Sequence, residues 1–403
     1  MDEPLWSNWS GSATSRPAWR ALARDEAEVA AAVRRATSEG VSLRTVGTGH
    51  SQIPLAAADG GLLQLDVRDD KDARTCIEQV DPARQRARVW AGATLHTIGE
   101  ALHQLGLALP NLGDVDVQTL GGAIGTGTHG TGRALKNISG AVVGVRGIDA
   151  RGEIFEWNQD SSPNQLAAAQ VSLGTLGVIC SVDLQLRSPL CLHERTDRMS
   201  VSQVLESIEE RATAARHVEF FWYPARDRVD LKTLVVTDDA PDPLPDRRYE
   251  SVDWSHRILP SVRTDRFVEM EYALPAAAAF EVFAAVRERM RARHPGIQWP
   301  VELRFVAADD AWLSPATGRD SITLSLHQDA RLPFRAFFAD IEPLLREGGG
   351  RPHWGKWHSL VAADLEPLYP RWAEFAELRS ALDSEGRFLN PYLRDLLVGR
   401  ALD

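Results

Sequence analysis

Cysteine is scarce: only Cys76, Cys180 and Cys191 occur in 403 residues. Three scattered thiols exclude a disulfide framework or a four-ligand zinc site, and a reducing compartment is the simpler expectation. Basic charge is not in excess either. Lys plus Arg is 45 against 56 for Asp plus Glu, a net charge of −11. That balance disfavours general affinity for nucleic acid or an anionic membrane and leaves room only for a local basic pocket. No segment approaches the ~18 uninterrupted apolar residues of a bilayer span. The opening MDEPLWS carries two acids where a secretory signal has positive charge and an apolar run, so a cytoplasmic location is expected. Repeats of solenoid period are missing as well. With 44% hydrophobic and 25% charged residues, the rest is ordinary globular composition, long enough for two or three domains.

The first half alternates helix and strand signals. DEAEVAAAVRRATSEG, Asp25 to Gly40, has an acidic first turn, apolar residues at helical spacing and a closing glycine, which predicts a helix ending near Glu39. VSLRTVG, GLLQLDV from Gly61, and Ala87 to Ala91 read as strands, and Thr94 to Leu105 as a capped helix. Gly140 to Ile148, Glu153 to Trp157 and Gly177 to Leu186 are further strands, the last stopped by Ser188-Pro189, where a domain boundary is placed. Beyond it lie most of the tryptophans, the helical pattern AAAAFEVFAAVRERMRARH, and the acidic, proline-rich stretch from Asp238 to Arg248, read as a surface loop.

The densest chemical signal is TLGGAIGTGTHGTG, Thr119 to Gly132, with glycines at 121, 122, 125, 127, 130 and 132 and another at 140. Glycine permits positive φ and close backbone approach, and consecutive amides in such a loop form an anion nest suited to a pyrophosphate. A tightly turning loop without ligand fits the glycine content equally. Neither a P-loop nor a Rossmann fingerprint is present, since no Gly-Lys-Ser/Thr occurs and LPNLGDVDVQ is not a buried strand. A second glycine turn, VGTGHS, follows the strand VSLRTV and places His50 at its mouth, either as a hydrogen-bonded loop residue or as part of a site.

Together these motifs carry a resemblance. VGTGHS, the helix after GATL, LPNLGDVDVQTLGGAIGTGTHGTG and SLGTLGVICSVDLQL resemble the FAD-binding domain of the vanillyl-alcohol-oxidase type flavoproteins. VELRFVAADDAWLSPATGRDS and RPHWGKWHSL are similar to substrate-domain motifs of the aldonolactone oxidase and alditol oxidase branch, in the same order. The resemblance implies an α+β flavoprotein with a bipartite FAD-binding domain over residues 1–189 and an α+β substrate, or cap, domain over 190–384. A segment 385–403 would pack back near the first domain. FAD would be held by Gly47, Thr48, Gly49, His50 and Ser51, by Gly122, Gly125, Thr126, Gly127, Thr128, Gly130 and Thr131, and by Gly177 and Ile179. His50 would be joined covalently to the flavin 8α-methyl carbon, raising the flavin potential.

The same resemblance implies catalytic roles for Glu302, Arg304 and Lys356. Glu302 and Arg304 stand two apart in VELRF and so share one strand face. Lys356 and Arg304 would stabilise alkoxide character while hydride leaves for flavin N5, and Arg304, always protonated, cannot be the base. Without the resemblance these three read as a surface pair and a solvated lysine. Where alditol oxidases place His and Thr toward the substrate, SITLSLHQD has Ser325 and His327, so the pocket is altered. His327 is expected to bind a sugar hydroxyl or accept a proton, a rim position being the alternative. Trp354 is assigned to the pocket wall and Trp357 to packing. A metal site built from His50, His129, His353 and His358 is rejected for want of HExxH or a carboxylate at ligand spacing. The implied partners are a polyol or sugar lactone and dioxygen or another electron acceptor, with hydrogen peroxide formed in the first case.

Overall fold

The computed structural model describes residues 5–68, 72–242 and 249–399. Residues 243–248 of the expected acidic loop lie outside the described residues. Local signals locate the first elements closely. The Glu26–Glu39 helix is capped by the Asp25 side chain, which accepts from the Glu28 N–H, and ends at Gly40 with φ 67°. It buries Val29, Ala30, Ala32, Val33 and Ala36 as one apolar stripe. Thr94 caps the Leu95–Gln104 helix in the same way.

Three sheets organise the chain. Trp19–Ala23, Gly61–Leu65 and Leu43–Val46 form a parallel sheet in that spatial order. An antiparallel sheet follows, ordered Ile77–Asp81, Arg86–Trp90, Val178–Gln185, Val142–Ile148, Ile154–Asn158. The strand expected from Gly140 starts two residues later because the Asn137 side chain accepts from the Gly140 N–H and winds Ile138–Ala141 into a 3₁₀ turn. The third sheet is antiparallel through its long strands and ordered Glu250–Trp254, Cys191–Ser200, Arg228–Thr237, His217–Tyr223, Val301–Val306, Ser321–Asp329, Phe267–Pro275, Arg351–Pro352. The Cys191–Ser200 strand begins immediately after the expected boundary.

Two large apolar clusters form most of the interior. One is built mostly from residues 19–192 and the other mostly from 201–397, and the C-terminal segment contributes Phe388 to the first and Leu393, Leu396 and Leu397 to the second. The third sheet has unlike faces. Val268, Met270, Tyr272, Leu274, Val301, Leu303, Phe305, Ile322, Leu324 and Leu326 point into the second core with the Val201–Ala214, Ala279–Arg293 and Arg335–Glu347 helices. Side chains alternate along a strand, so the opposite face receives Glu269, Glu271, Glu302, Arg304, Ser325 and His327. That face is turned toward the glycine-rich segments of the first half and is buried.

Candidate active site

The two glycine turns meet through Gly47. A Cβ there would stand 2.1 Å from Thr119 Oγ1, so only glycine lets the VGTGHS turn lie against the second segment. That second segment is not wholly a loop: Leu120–Thr126 is a short helix whose N-cap is Thr119 and whose end is Gly127 in the left-handed conformation. The expected continuous nest of amides is therefore confined to the first turn and to the residues around this helix.

A cleft runs along both turns. It is lined by Gly47, Thr48, Gly49, His50 and Ser51, by Gly122, Gly125 and Thr126, and by Gly177 and Ile179. Gly130 and Thr131 do not line it. Gly130 is pressed against Leu112, while the Thr131 hydroxyl donates to Val218 O and accepts from the Phe305 N–H at 3.1 Å. These residues bind the glycine segment to the third sheet. Gly127 borders a separate small cavity and Thr128 faces the substrate side. Residues overlooked by sequence reasoning also line the cleft: Arg44, Gln118, Thr119, Ser172, Leu173 and Gly174. A charged residue inside the buried strand VSLRTV was the available signal for Arg44.

The cleft fits FAD. Its lining reaches from the VGTGHS turn along the Leu120–Thr126 helix to Gly177 and Ile179, a run of exposed backbone suited to a dinucleotide. A Cβ on Gly125 would meet no atom within 4 Å and would enter the cleft itself, so the backbone there is bared for a ligand. Gln118 Oε1 is buried without a hydrogen-bond partner at the point where the cleft joins the substrate side, and such an orphaned acceptor is costly unless a ligand supplies a donor. His50 stacks on Trp9 with ring centroids 5.2 Å apart. Burial and the nearby Lys356 charge push its pKa down to about 4, so the imidazole is neutral.

The cleft continues through His50, Ser51, Gln118 and Thr126 into a second cavity, and from there past Val115, Arg263, His353 and Lys356 onto the polar sheet face. Glu302, Arg304, His327 and Lys356 all line this inner space. Sequence expectation placed two cations and one carboxylate here; the structure adds Asp114, Glu219, Glu269 and Glu271. FVEMEYALP alternates acid and apolar residues, which was the missed signal of a strand with one polar face. Arg304 sits among three acids, with Nε 2.8 Å from Glu219 and Nη2 2.5 Å from Asp114 and in contact with Glu302. Asp114 and Glu219 already neutralise it. Burial, reinforced by those two acids against the pull of Arg304, holds the Glu302 carboxyl well above the usual range, so Glu302 keeps its proton. Lys356 pairs with Glu269 and stays charged: burial opposes the charge, and Glu269 and Glu271 overcome it.

Hydrogen bonds set the histidine tautomers. His327 Nδ1 faces the Pro300 carbonyl at 2.9 Å, and a carbonyl only accepts, so Nδ1 carries the proton. Burial lowers the pKa of His327, which leaves Nε2 a bare acceptor 3.6 Å from Glu269 Oε1. His353 is the reverse: the Gly355 N–H donates to Nδ1 at 3.0 Å, burial pushes its pKa down to about 4, and Nε2 carries the proton. His129 Nδ1 donates to Gly130 O, and its Nε2 lies 2.6 Å from Glu271 Oε1. His129, Glu271 and His353 have the spacing of a metal-ligand set. The His353 tautomer opposes that use, because Nδ1 is occupied and Nε2 is protonated.

Two further expectations are displaced. Ser325 lies under the site, its hydroxyl donating to Glu271 Oε2 at 2.8 Å, so it supports Glu271 and does not line the cavity. Trp354 is fully buried, with its indole N–H on Leu313 O and its ring stacked on Tyr369; it packs the second core and lines neither the cleft nor the inner cavities described above. Trp357 packs on Phe338, as expected of it.

Comparison with known proteins agrees with this geometry. A profile described as FAD binding domain matches residues 17–158, and one described as D-arabinono-1,4-lactone oxidase matches residues 182–250 and 246–396. The L-gulono-1,4-lactone dehydrogenase of Mycobacterium tuberculosis is 35% identical over 98% of this chain and 99% of its own. The alditol oxidase of a Streptomyces species is 29% identical over 98% and 99%, and the L-gulonolactone oxidase of Mus musculus 28% over 96% and 97%. Among solved structures, a solvent-stable cholesterol oxidase superposes with a TM-score of 0.85 over 98% of this chain and 97% of that one at 18% identity, a likeness of fold. A glycine-lined dinucleotide cleft opening onto a charged sheet face, matched over nearly its whole length, places this chain in the D-arabinono-1,4-lactone oxidase family of FAD-dependent oxidoreductases.

Proposed function

We propose that the chain oxidises a hydroxyl-bearing carbon of an aldono-1,4-lactone or an alditol. The carrying observation is the inner cavity, continuous with the FAD cleft and lined by a charged lysine and by two neutral imidazoles of opposite tautomer. Its cations are paired with carboxylates: Lys356 with Glu269, Arg304 with Asp114 and Glu219, and Arg263 with Asp114. Such a balance suits an uncharged substrate rich in hydroxyls better than an anion. When bound, FAD supplies the hydride acceptor.

The residues then divide the work. Lys356 donates to the substrate oxygen and stabilises negative charge as it develops. Arg304 fixes the acid cluster, with protonated Glu302 as a donor. His327 Nε2 accepts a hydroxyl proton, and His353 Nε2–H donates to a second oxygen. The electrons pass afterwards to dioxygen or another acceptor. Residues 1–189 form the FAD domain and 190–384 the substrate domain. Buried, free Cys76, Cys180 and Cys191 suit a cytoplasmic setting. Among the described residues no helix is long and apolar enough to cross a membrane.

The test is anaerobic mixing with a panel of alditols and aldonolactones. Loss of the oxidised flavin absorbance with at least one of them is expected; a spectrum unchanged by every compound would reject the reading. We also place a covalent bond between His50 and the flavin 8α carbon, supported by an uncharged imidazole in the cleft wall. Acid precipitation should carry the yellow colour down with the protein, and His50→Ala should release it into the supernatant. Colour released from the parent would remove the linkage.

A further inference from the structure

Arg44 is a buried cation that no anion among the described residues neutralises. The residue is 3% exposed, and among the described residues its guanidinium donates only to backbone carbonyls: Nε to Leu55 O at 2.9 Å, Nη1 to Gly174 O at 3.1 Å and to Phe388 O, Nη2 to Leu173 O at 2.8 Å. Among the described residues no carboxylate lies within ion-pair distance of it. Carbonyl dipoles satisfy hydrogen bonds but leave the net charge in a low-dielectric wall, where an unpaired ion is expensive. The other cations lining the cleft and the inner cavities, Arg263, Arg304 and Lys356, each have an acid beside them.

The wall in question is that of the FAD cleft. Arg44 lines it, two residues before the VGTGHS turn, and Leu173 and Gly174, whose carbonyls it holds, line it too. Resting on the FAD assignment, we propose that Arg44 is the counter-ion of the FAD pyrophosphate, supplying from beneath the cleft the charge that the glycine-turn amides cannot. Two negative charges enter a wall whose other described lining residues are uncharged, so the buried guanidinium and the ligand cancel each other's desolvation cost.

This role draws the C-terminal segment into cofactor binding. Phe388 O is one of the Arg44 acceptors, the Leu43 N–H donates to Arg387 O at 2.8 Å, and Asn390 Nδ2 donates to Pro54 O and Ala57 O, each at 2.8 Å. The segment is thereby fastened to both sides of the strand and turn that present Arg44.

The test separates charge from structure by comparing two ligands on one protein. In a His50→Ala background, which permits reversible binding, affinities for FAD and for riboflavin are measured by quenching of flavin fluorescence. Riboflavin has the ring system without the pyrophosphate. Arg44→Met should weaken FAD about 10- to 100-fold and leave riboflavin within about 3-fold. Arg44→Lys, which keeps the charge, should hold the FAD-to-riboflavin ratio within about 3-fold of the parent, and it carries the test alone if the Met variant is not recovered folded. Equal weakening of both flavins by Arg44→Met, or a ratio that collapses in Arg44→Lys, would make Arg44 a purely structural clamp and overturn the proposal. A parent that binds neither flavin would refute the FAD assignment itself, and the proposal with it.

Discussion

Lys356→Met should lower the rate of anaerobic flavin reduction by roughly 10²-fold or more while flavin content stays that of the parent. The substitution keeps much of the side-chain volume and removes the ammonium that faces the inner cavity. It also strips Glu269 of its cation, and a buried carboxylate left alone takes up a proton or destabilises the fold. The double variant Lys356→Met/Glu269→Gln isolates the two effects. It should recover the thermal stability lost in the single variant and none of the rate, because the missing quantity is positive charge at the reacting oxygen. Stopped-flow reduction with saturating substrate and a thermal melt measure both. An unimpaired rate in a fully flavin-loaded single variant would take Lys356 out of the mechanism.

Arg304→Met is expected to cost about 3 kcal/mol or more of folding stability, since it leaves a buried acid cluster without its central cation. Lys232 still reaches Glu219 and Arg263 still reaches Asp114, so the penalty is carried by the mutual repulsion of these two carboxylates and by the charge that their remaining partners leave uncompensated. The sign with pH follows from linkage. Without Arg304 the folded-state pKa values of these acids stand above those of the unfolded chain, so the deficit is full above the folded values and shrinks as protons bind. Urea unfolding of parent and variant should therefore show a larger gap at pH 8 than at pH 5. A gap independent of pH would mean that packing of the guanidinium stem, not charge, is what Arg304 contributes.

Much of the first half was legible because its determinants are local. Asp25 and Gly40 bracket a helix by cap chemistry alone, and Gly47 and Gly125 announce places where backbone must approach something closely. The motif order from VGTGHS to HWGKWHSL carried the family and FAD, and the pairing of Glu302 with Arg304 on one face followed from strand alternation. Local chemistry was misleading where glycine spacing suggested one continuous loop: the Thr119 cap and apolar Leu120, Ala123 and Ile124 turn part of it into a helix.

Other features arise only when distant strands are set side by side. That Ser325 lies between Glu302 and Glu271 is a matter of register between the Val301–Val306, Ser321–Asp329 and Phe267–Pro275 strands, and no spacing within any one of them encodes it. The same pairing turns an isolated Arg304 into the centre of an acid cluster and makes Glu302 the acid that keeps its proton. Trp354 looked like a pocket residue because it adjoins Lys356, yet the turn directs one side chain into the core and the other into the cavity. Sequence by itself determined the caps, the close approaches and the residue types available for chemistry, since those depend on neighbours a few positions away. Tertiary structure alone decided protonation, tautomer and charge balance, because these are set by burial and by groups from elements far apart along the chain.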